Sequence, residues 1–300
     1  MTARIIDTAW HPLVTGCPPR WASGWGQDRY GVFVEFTLQE ITQRLRWIPP
    51  GRFWMGSPED EPGRYDNEGP RHQVTLTEGF WLFDTPCTQA LWQAVMGNNP
   101  SYFKSPTRPV ENVSWHDVQD FLARINSRIP GLDLTLPSEA QWEHACRAGT
   151  ETAIYSGDLA VLGENNAPAL DPIAWYGGNS GVEFELDNGY DNSSWPEKQY
   201  SNTKAGTHPV QRKRANPWGL YDMLGNVLEW CQDHWHNHYE GAPDDSSAWE
   251  DSAADTVAYR VLRGGSWYSS ARYVRAAYRL AFPPDYRLDY IGFRCARVWS

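Results

Sequence analysis

Seventeen tryptophans are spread through 300 residues that also carry 25 glycines and 22 prolines. Gly and Pro interrupt the chain too often for long helices or a large regular sheet. Indole rings, in turn, bury more surface per residue than almost any other side chain. The chain therefore reads as short elements joined by long loops and pinned by aromatic packing. Its length and 41% hydrophobic content allow one large domain or two ordinary ones, with a core of good size.

The short elements can be placed along the chain. Residues 30–37 and 41–48 are β-branched, aromatic or alternating, and predict strands before the Pro49-Pro50-Gly51 break. Gly51–Ser57, His72–Thr77 and Phe80–Phe83 predict three more. Thr88 stands at the N-cap of a helix that Gly97 closes. Ser114 starts a second helix, whose apolar Val118, Phe121, Leu122 and Ile125 recur at helical spacing. Ser138 starts a third, with Gln141 completing a capping box. Residues 150–215 have little periodicity, and the polar stretch 182–206 reads as an insertion. Val261–Trp267 is a strand with a turn, and Ile291–Val298 a closing strand.

Charge and cysteine usage exclude several classes. A net charge of -11 argues against nucleic acid or an anionic membrane as partner. No apolar run approaches the roughly 20 residues of a membrane span. Met1–Pro19 lacks a basic start followed by an apolar stretch, so a cytoplasmic setting is expected. Cys17, Cys87, Cys146, Cys231 and Cys295 are scattered and never in CxxC spacing, which disfavours a zinc site or a disulfide framework.

Five ordered blocks carry a family resemblance: Phe53–Ser57, Pro109–Trp115, Leu136–Glu143, Gly219–Trp230, and Arg263–Trp267 with Gly292-Phe293-Arg294. Together they resemble the formylglycine-generating-enzyme (sulfatase-modifying-factor) family from about Ile48 onward. The resemblance implies an α+β fold of the C-type-lectin-like type, loop-rich with little regular secondary structure. It divides the chain into an N-terminal strand-containing extension, 1–48, and a lectin-like domain, 49–300. The oxidases of that family hold copper with two cysteines after the Gly-Gly-Ser turn, and soft thiolates suit Cu(I). The matching positions are Ser269 and Val274, so no catalytic residues, no copper and no formylglycine-generating activity are expected. A sulfoxide-synthase branch with an N-terminal three-histidine iron site is disfavoured too, since His11 is the lone histidine before residue 49.

The C-terminal stretch resembles a further group, the variable proteins of diversity-generating retroelements. Arg263–Trp267, Ala271-Arg272, Val274–Arg279, Pro284-Asp285, Arg287 and Ile291–Arg294 keep that group's frame within a variable region spanning 261–298. Between them lie the positions the group diversifies: Tyr268, Ser269, Ser270, Tyr273, Leu280, Ala281, Phe282, Pro283, Tyr286, Leu288, Asp289 and Tyr290. Each of these residue types fits a codon ending in C with free first and second bases, as adenine mutagenesis of AAC codons would leave. Tyr and Ser dominate, as in antibody loops, where Tyr gives stiff amphipathic contact area and Ser adaptable hydrogen bonding. The expected function is non-catalytic, receptor-like binding of an unidentified ligand, a protein by preference. The frame arginines are expected to pin loops through carboxylates and carbonyls.

Two metal readings complete the expectations. Asp222–Glu229 matches a calcium-binding segment of the family, which implies the Asp222 carboxylate, the Gly225 and Val227 carbonyls and Glu229 as ligands of a structural Ca²⁺. His234, His236 and His238 at period two would share one strand face and offer transition-metal ligands to an alternative reading, an oxygen-dependent oxidase or synthase of the wider family.

Overall fold

Alternation builds the first sheet. A computed structural model of the chain describes Leu13, residues 18–250 and residues 259–298; Cys17 lies outside them. Strand β1 (Gly24–Asp28) pairs antiparallel with β2 (Gly31–Leu38), in which Val32, Val34 and Phe36 point inward and their neighbours outward. β3 (Ile41–Ile48) follows in register with β2, as Val34 opposes Leu45. The hairpin β4 (Gly51–Met55) and β5 (His72–Leu76) stands apart as a two-stranded sheet. β6 (Phe80–Phe83), buried at all four positions, returns beside β3. The segment read as an N-terminal extension thus continues the main sheet. β1 escaped the sequence reading because its Gly-Trp-Gly-Gln-Asp run buries none of its residues.

The three helices begin where their capping side chains predict. Thr88 Oγ1 accepts the Leu91 N–H at 3.3 Å at the start of α1 (Gln89–Met96), and Gly97 ends it at φ 82°. Capping boxes at Ser114 with Asp117 and at Ser138 with Gln141 open α2 (Trp115–Arg128) and α3 (Glu139–Arg147). Trp92 of α1 stacks on Phe121 of α2 at 5.4 Å and 4°.

A second sheet supports the C-terminal region. β7 (Leu228–His234), β8 (Arg260–Arg263) and β9 (Arg279–Phe282) run antiparallel, with β9 at the edge. The expected closing strand divides in two. β10 (Ile291–Gly292) runs parallel to β7, whereas β11 (Ala296–Val298) pairs with β6 in the first sheet. The break falls at Arg294, whose fully buried side chain grips Glu229 of β7 through Nε (2.7 Å) and Nη2 (2.8 Å). Its remaining donors reach the carbonyls of Phe83 and Tyr221. One guanidinium therefore ties both sheets together at the crossing.

Two large apolar clusters fill the interior, one under α3 and the hairpin, the other between the first sheet, α1 and α2. A smaller one surrounds Trp267 and Phe103 and draws in Phe184, Leu186 and Trp195 from the polar insertion. Cys87, Cys146, Cys231 and Cys295 are buried and unbridged.

Two outcomes follow. Arg294→Ala leaves Glu229 as an uncompensated buried charge, so urea unfolding should show a loss of about 3–5 kcal/mol. Asp84, just after β6, is 4% exposed, and burial pushes its carboxyl up from 3.8 to about 7 against the pull of Arg46, Arg44 and Arg294. Because the folded value is the higher one, the stability linked to this proton is present below about pH 3.8 and lost as pH rises to about 7. Asp84→Asn should flatten that part of the stability–pH curve relative to the wild type.

Candidate functional site

The C-terminal frame separates cleanly into enclosed and accessible positions. Residues 263–267, Ala271, 274–279 and 291–294 are buried, while Arg272, Pro284, Asp285 and Arg287 are frame residues with accessible surface. Each of the twelve candidate ligand-binding residues, from Tyr268 to Tyr290, is partly or fully exposed, with Tyr268 at 43% and Tyr286 at 49%.

Turn geometry and arginine clamps set this pattern. Gly264 and Gly265 sit at φ 96° and 73°, and a Cβ on either would come within 2.9 Å of a backbone oxygen. Arg263 donates to the Ala276 and Ala277 carbonyls at 2.8 and 2.9 Å and pairs with Glu143 of α3. Arg275 grips Glu68 and Glu61 and donates to the Gly63 carbonyl at 2.9 Å. Arg279 makes a two-pronged pair with Glu139 at 2.6 and 2.8 Å and reaches the Asn67 carbonyl. These contacts draw α3, the loop 61–68 and the variable segment into one frame. Arg287 is the exposed exception: it clamps Asp117 at the start of α2 and holds the 283–290 loop there, with the Pro284 and Leu288 carbonyls accepting from Trp115 and Asn112.

The exposed positions fall into groups. Tyr268 and Tyr290 stack at 5.6 Å and 13°, and Phe282 and Tyr286 at 5.4 Å and 17°. Leu280, Phe282, Leu288 and Tyr290 all pack against the apolar cluster between the first sheet, α1 and α2. Ala281 departs from it: strand alternation turns its side chain to the opposite face of β9. Tyr273 also stands elsewhere, its ring partners being Tyr65 and Tyr278. Ser269 Oγ turns inward to accept the Ser266 N–H at 2.9 Å, and Ser270 Oγ donates to Glu164. Two aromatics outside the sequence reading, Tyr190 and Trp195, meet Tyr268 edge-on at 5.6 and 5.1 Å. Their only advance signal was the presence of aromatic residues in an otherwise polar insertion.

The positions that the resemblance implies for the oxidase cysteines, Ser269 and Val274, hold no thiol. Val274 is fully buried, Ser269 closes its own turn, and burial pushes the Cys295 thiol well above its ordinary range. The implied calcium ligands have partners within the protein. Both Glu229 oxygens accept from Arg294, and one also takes the Trp142 Nε1–H, so this carboxylate already faces a cation. Asp222 accepts the Gln211 N–H, and the Gly225 carbonyl accepts the Val227 N–H. The histidine run separates as well, because β7 ends at His234. His236 stacks on Trp249 at 3.6 Å, and His238 accepts the Glu240 N–H. Among the described residues, no group of three or more His, Cys, Asp or Glu is placed to hold a metal.

Residues 32–299 match the family described as the sulfatase-modifying factor enzyme 1-like domain. The chain belongs to this family. Among family relatives, the formylglycine-generating enzyme of Thermomonospora curvata is 29% identical over 86% of this chain and 94% of its own. The chaperone protein LppX of Paenibacillus barcinonensis is 31% identical over 68% and 75%. Of solved structures, Treponema denticola variable protein 1 superposes with TM-score 0.68 at 28% identity, covering 88% of this chain and 98% of that one. PvdO from Pseudomonas aeruginosa gives 0.66 at 26% identity over 94% and 100%. The family's C-type-lectin-like architecture is the one described above, with mixed short sheets, long loops and three α-helices among the described residues.

Because Arg294 supplies the charge opposite Glu229, thermal unfolding in excess chelator should match unfolding in millimolar calcium. A chelator-induced drop of several degrees in Tm would show that an ion is part of the fold.

Proposed function

We propose that this protein is a non-catalytic, ligand-binding scaffold whose C-terminal surface is diversified by a retroelement to present variable side chains, with a protein as ligand. One observation carries the reading: the frame residues are mostly buried and clamped, whereas all twelve intervening positions reach solvent. A site under diversification needs that partition, since substitution at exposed positions leaves the core intact. The likeness to Treponema denticola variable protein 1 supports it. So does the Tyr- and Ser-rich set, which supplies rigid contact area and adaptable hydrogen bonds.

An oxidase reading draws on the formylglycine-generating relatives. Against it stand Ser269 and Val274 at the cysteine positions and the burial of all four described thiols. The net charge of -11 argues against nucleic acid as the ligand. No helix among the described residues is long and apolar enough to cross a membrane. Unbridged cysteines accord with a reducing, cytoplasmic setting.

The test has two arms. Tyr286→Asn and Leu288→Asn should each shift unfolding free energy by less than about 1 kcal/mol. Ala276→Asn, which forces an amide into a fully buried site, should cost about 3 kcal/mol or more. Purified protein supplied with copper and a cysteine-containing sulfatase peptide should form no formylglycine detectable by mass spectrometry. Turnover there, or equal damage from exposed and buried substitutions, would defeat the scaffold reading.

A further inference from the structure

The variable surface does not end at the variable segment. Tyr190 is 43% exposed and lies 5.9 Å from Trp195, and both rings come from the insertion 182–206. Trp195 also stacks on the buried Trp267 of the frame at 6.1 Å and 24°. Tyr268 stands perpendicular to Tyr190 and Trp195, at 88° and 90°, and parallel to Tyr290. Four rings from two distant chain segments thus form one aromatic patch, exposed at Tyr190 and Tyr268 and half-buried at Trp195 and Tyr290, with Trp267 as its floor.

Negative charge borders that patch. Asp289 sits between Leu288 and Tyr290, and Trp267 Nε1 donates to its carbonyl at 3.0 Å. Burial is the first cause lifting the phenols of Tyr268 and Tyr290, and the Asp289 carboxylate adds to it at both. Its charge is therefore felt at both rings. No Lys, Arg or His forms an ion pair with Asp289 among the described residues, whereas Asp117 nearby is already spent on Arg287. Below lies Glu111, fully buried, with Oε1 accepting the Phe103 N–H at 2.8 Å and Oε2 lacking a hydrogen-bond partner. Burial, reinforced by Asp289, pushes the Glu111 carboxyl up to about 8. That holds Glu111 largely neutral near pH 7, so the negative charge at the patch is that of Asp289, within a protein that carries -11 overall.

We infer that Tyr190 and Trp195 complete the binding surface with Tyr268, Tyr290 and Asp289, and that this composite patch takes an arginine side chain of a basic protein segment. The inference rests on the scaffold reading and gives its ligand a chemistry. A guanidinium suits the patch better than an ammonium, because its plane stacks on an aromatic face while its fork engages a carboxylate. The insertion then supplies a constant aromatic wall, and diversification at positions 268, 289 and 290 tunes what the wall receives.

The experiment measures fluorescence anisotropy of a labelled hexapeptide, two arginines spaced by glycines, titrated with the full-length protein. The comparison peptide replaces both arginines by citrulline, which keeps the shape and removes the charge. The arginine peptide should bind about fivefold or more tightly than the citrulline peptide. Asp289→Asn and Trp195→Ala should each bring the two peptides close to equal affinity. Trp195→Ala is scored only with an unfolding curve in hand, and Asp289→Asn, a near-isosteric change at a partly exposed site, keeps the test decisive if that variant is unstable. Equal binding of both peptides to the wild type, absence of binding by either, or undiminished selectivity in Asp289→Asn would overturn the inference. None of those outcomes touches the scaffold reading, which fails instead on formylglycine formation or on intolerance of exposed substitutions.

Discussion

Buried arginine–glutamate clamps are what the rest of this structure depends on. Arg263, Arg275, Arg279 and Arg294 are each at most 1% exposed, and each meets a carboxylate that is itself buried. Such pairs are poor sources of net stability, since desolvation consumes most of the Coulombic gain. Their value here is geometric. A guanidinium has five donors in a fixed fork, so one side chain can hold a carboxylate and several loop carbonyls at once. Arg263 does so with three carbonyls of the 276–278 segment, and Arg279 with carbonyls from two separate loops. A fold with this little regular hydrogen bonding needs anchors of that kind, because loop backbone groups left unpaired inside would cost more than the clamps do.

That anchoring is what the proposed scaffold role would need at its rim. The backbone of residues 263–294 is held mainly by residues that point inward, with exposed Arg287 and the turn-closing Ser269 as the outward contributors. Gly264 and Gly265 make the same division at the turn, where any side chain would strike the carbonyls of Met223 or Tyr273. In the same frame, Ser269 and Val274, where the family resemblance would place copper-binding cysteines, are a turn-closing serine and a core valine. Both substitutions make structural sense locally: Ser269 Oγ satisfies the Ser266 N–H, and Val274 fills apolar space under the Gly-Gly turn.

Much of the architecture was legible in the sequence because local chemistry dictated it. Thr88, Ser114 and Ser138 announce helix starts by side chains that accept from the first turn, and β2 announces itself by strict alternation. The closing strand was not legible. Nothing in Ile291–Val298 shows that Arg294 will turn toward Glu229 and send the chain from one sheet to the other, because the partner lies 65 residues away. Glu229 shows the same limit: a carboxylate in a family motif reads as a cation ligand, and its partner Arg294 becomes visible only in the fold. β9 shows a subtler limit. Its residues were recognised as accessible, but the strand geometry that turns Ala281 away from Leu280 and Phe282 needs the pairing with β8 to become visible.

The composite patch follows from these same constraints. A variable segment alone would have to generate all its contact area from side chains that change between copies, and each change would alter how neighbouring rings pack. A constant Tyr190–Trp195 wall, seated on buried Trp267, removes part of that burden. It supplies preorganised aromatic surface that pays little rotamer entropy on binding, and it leaves charge and shape to positions such as 268, 289 and 290. In the proposed reading, insertion and variable segment are two halves of one device, the first setting the class of group that is welcome and the second deciding which example of it fits.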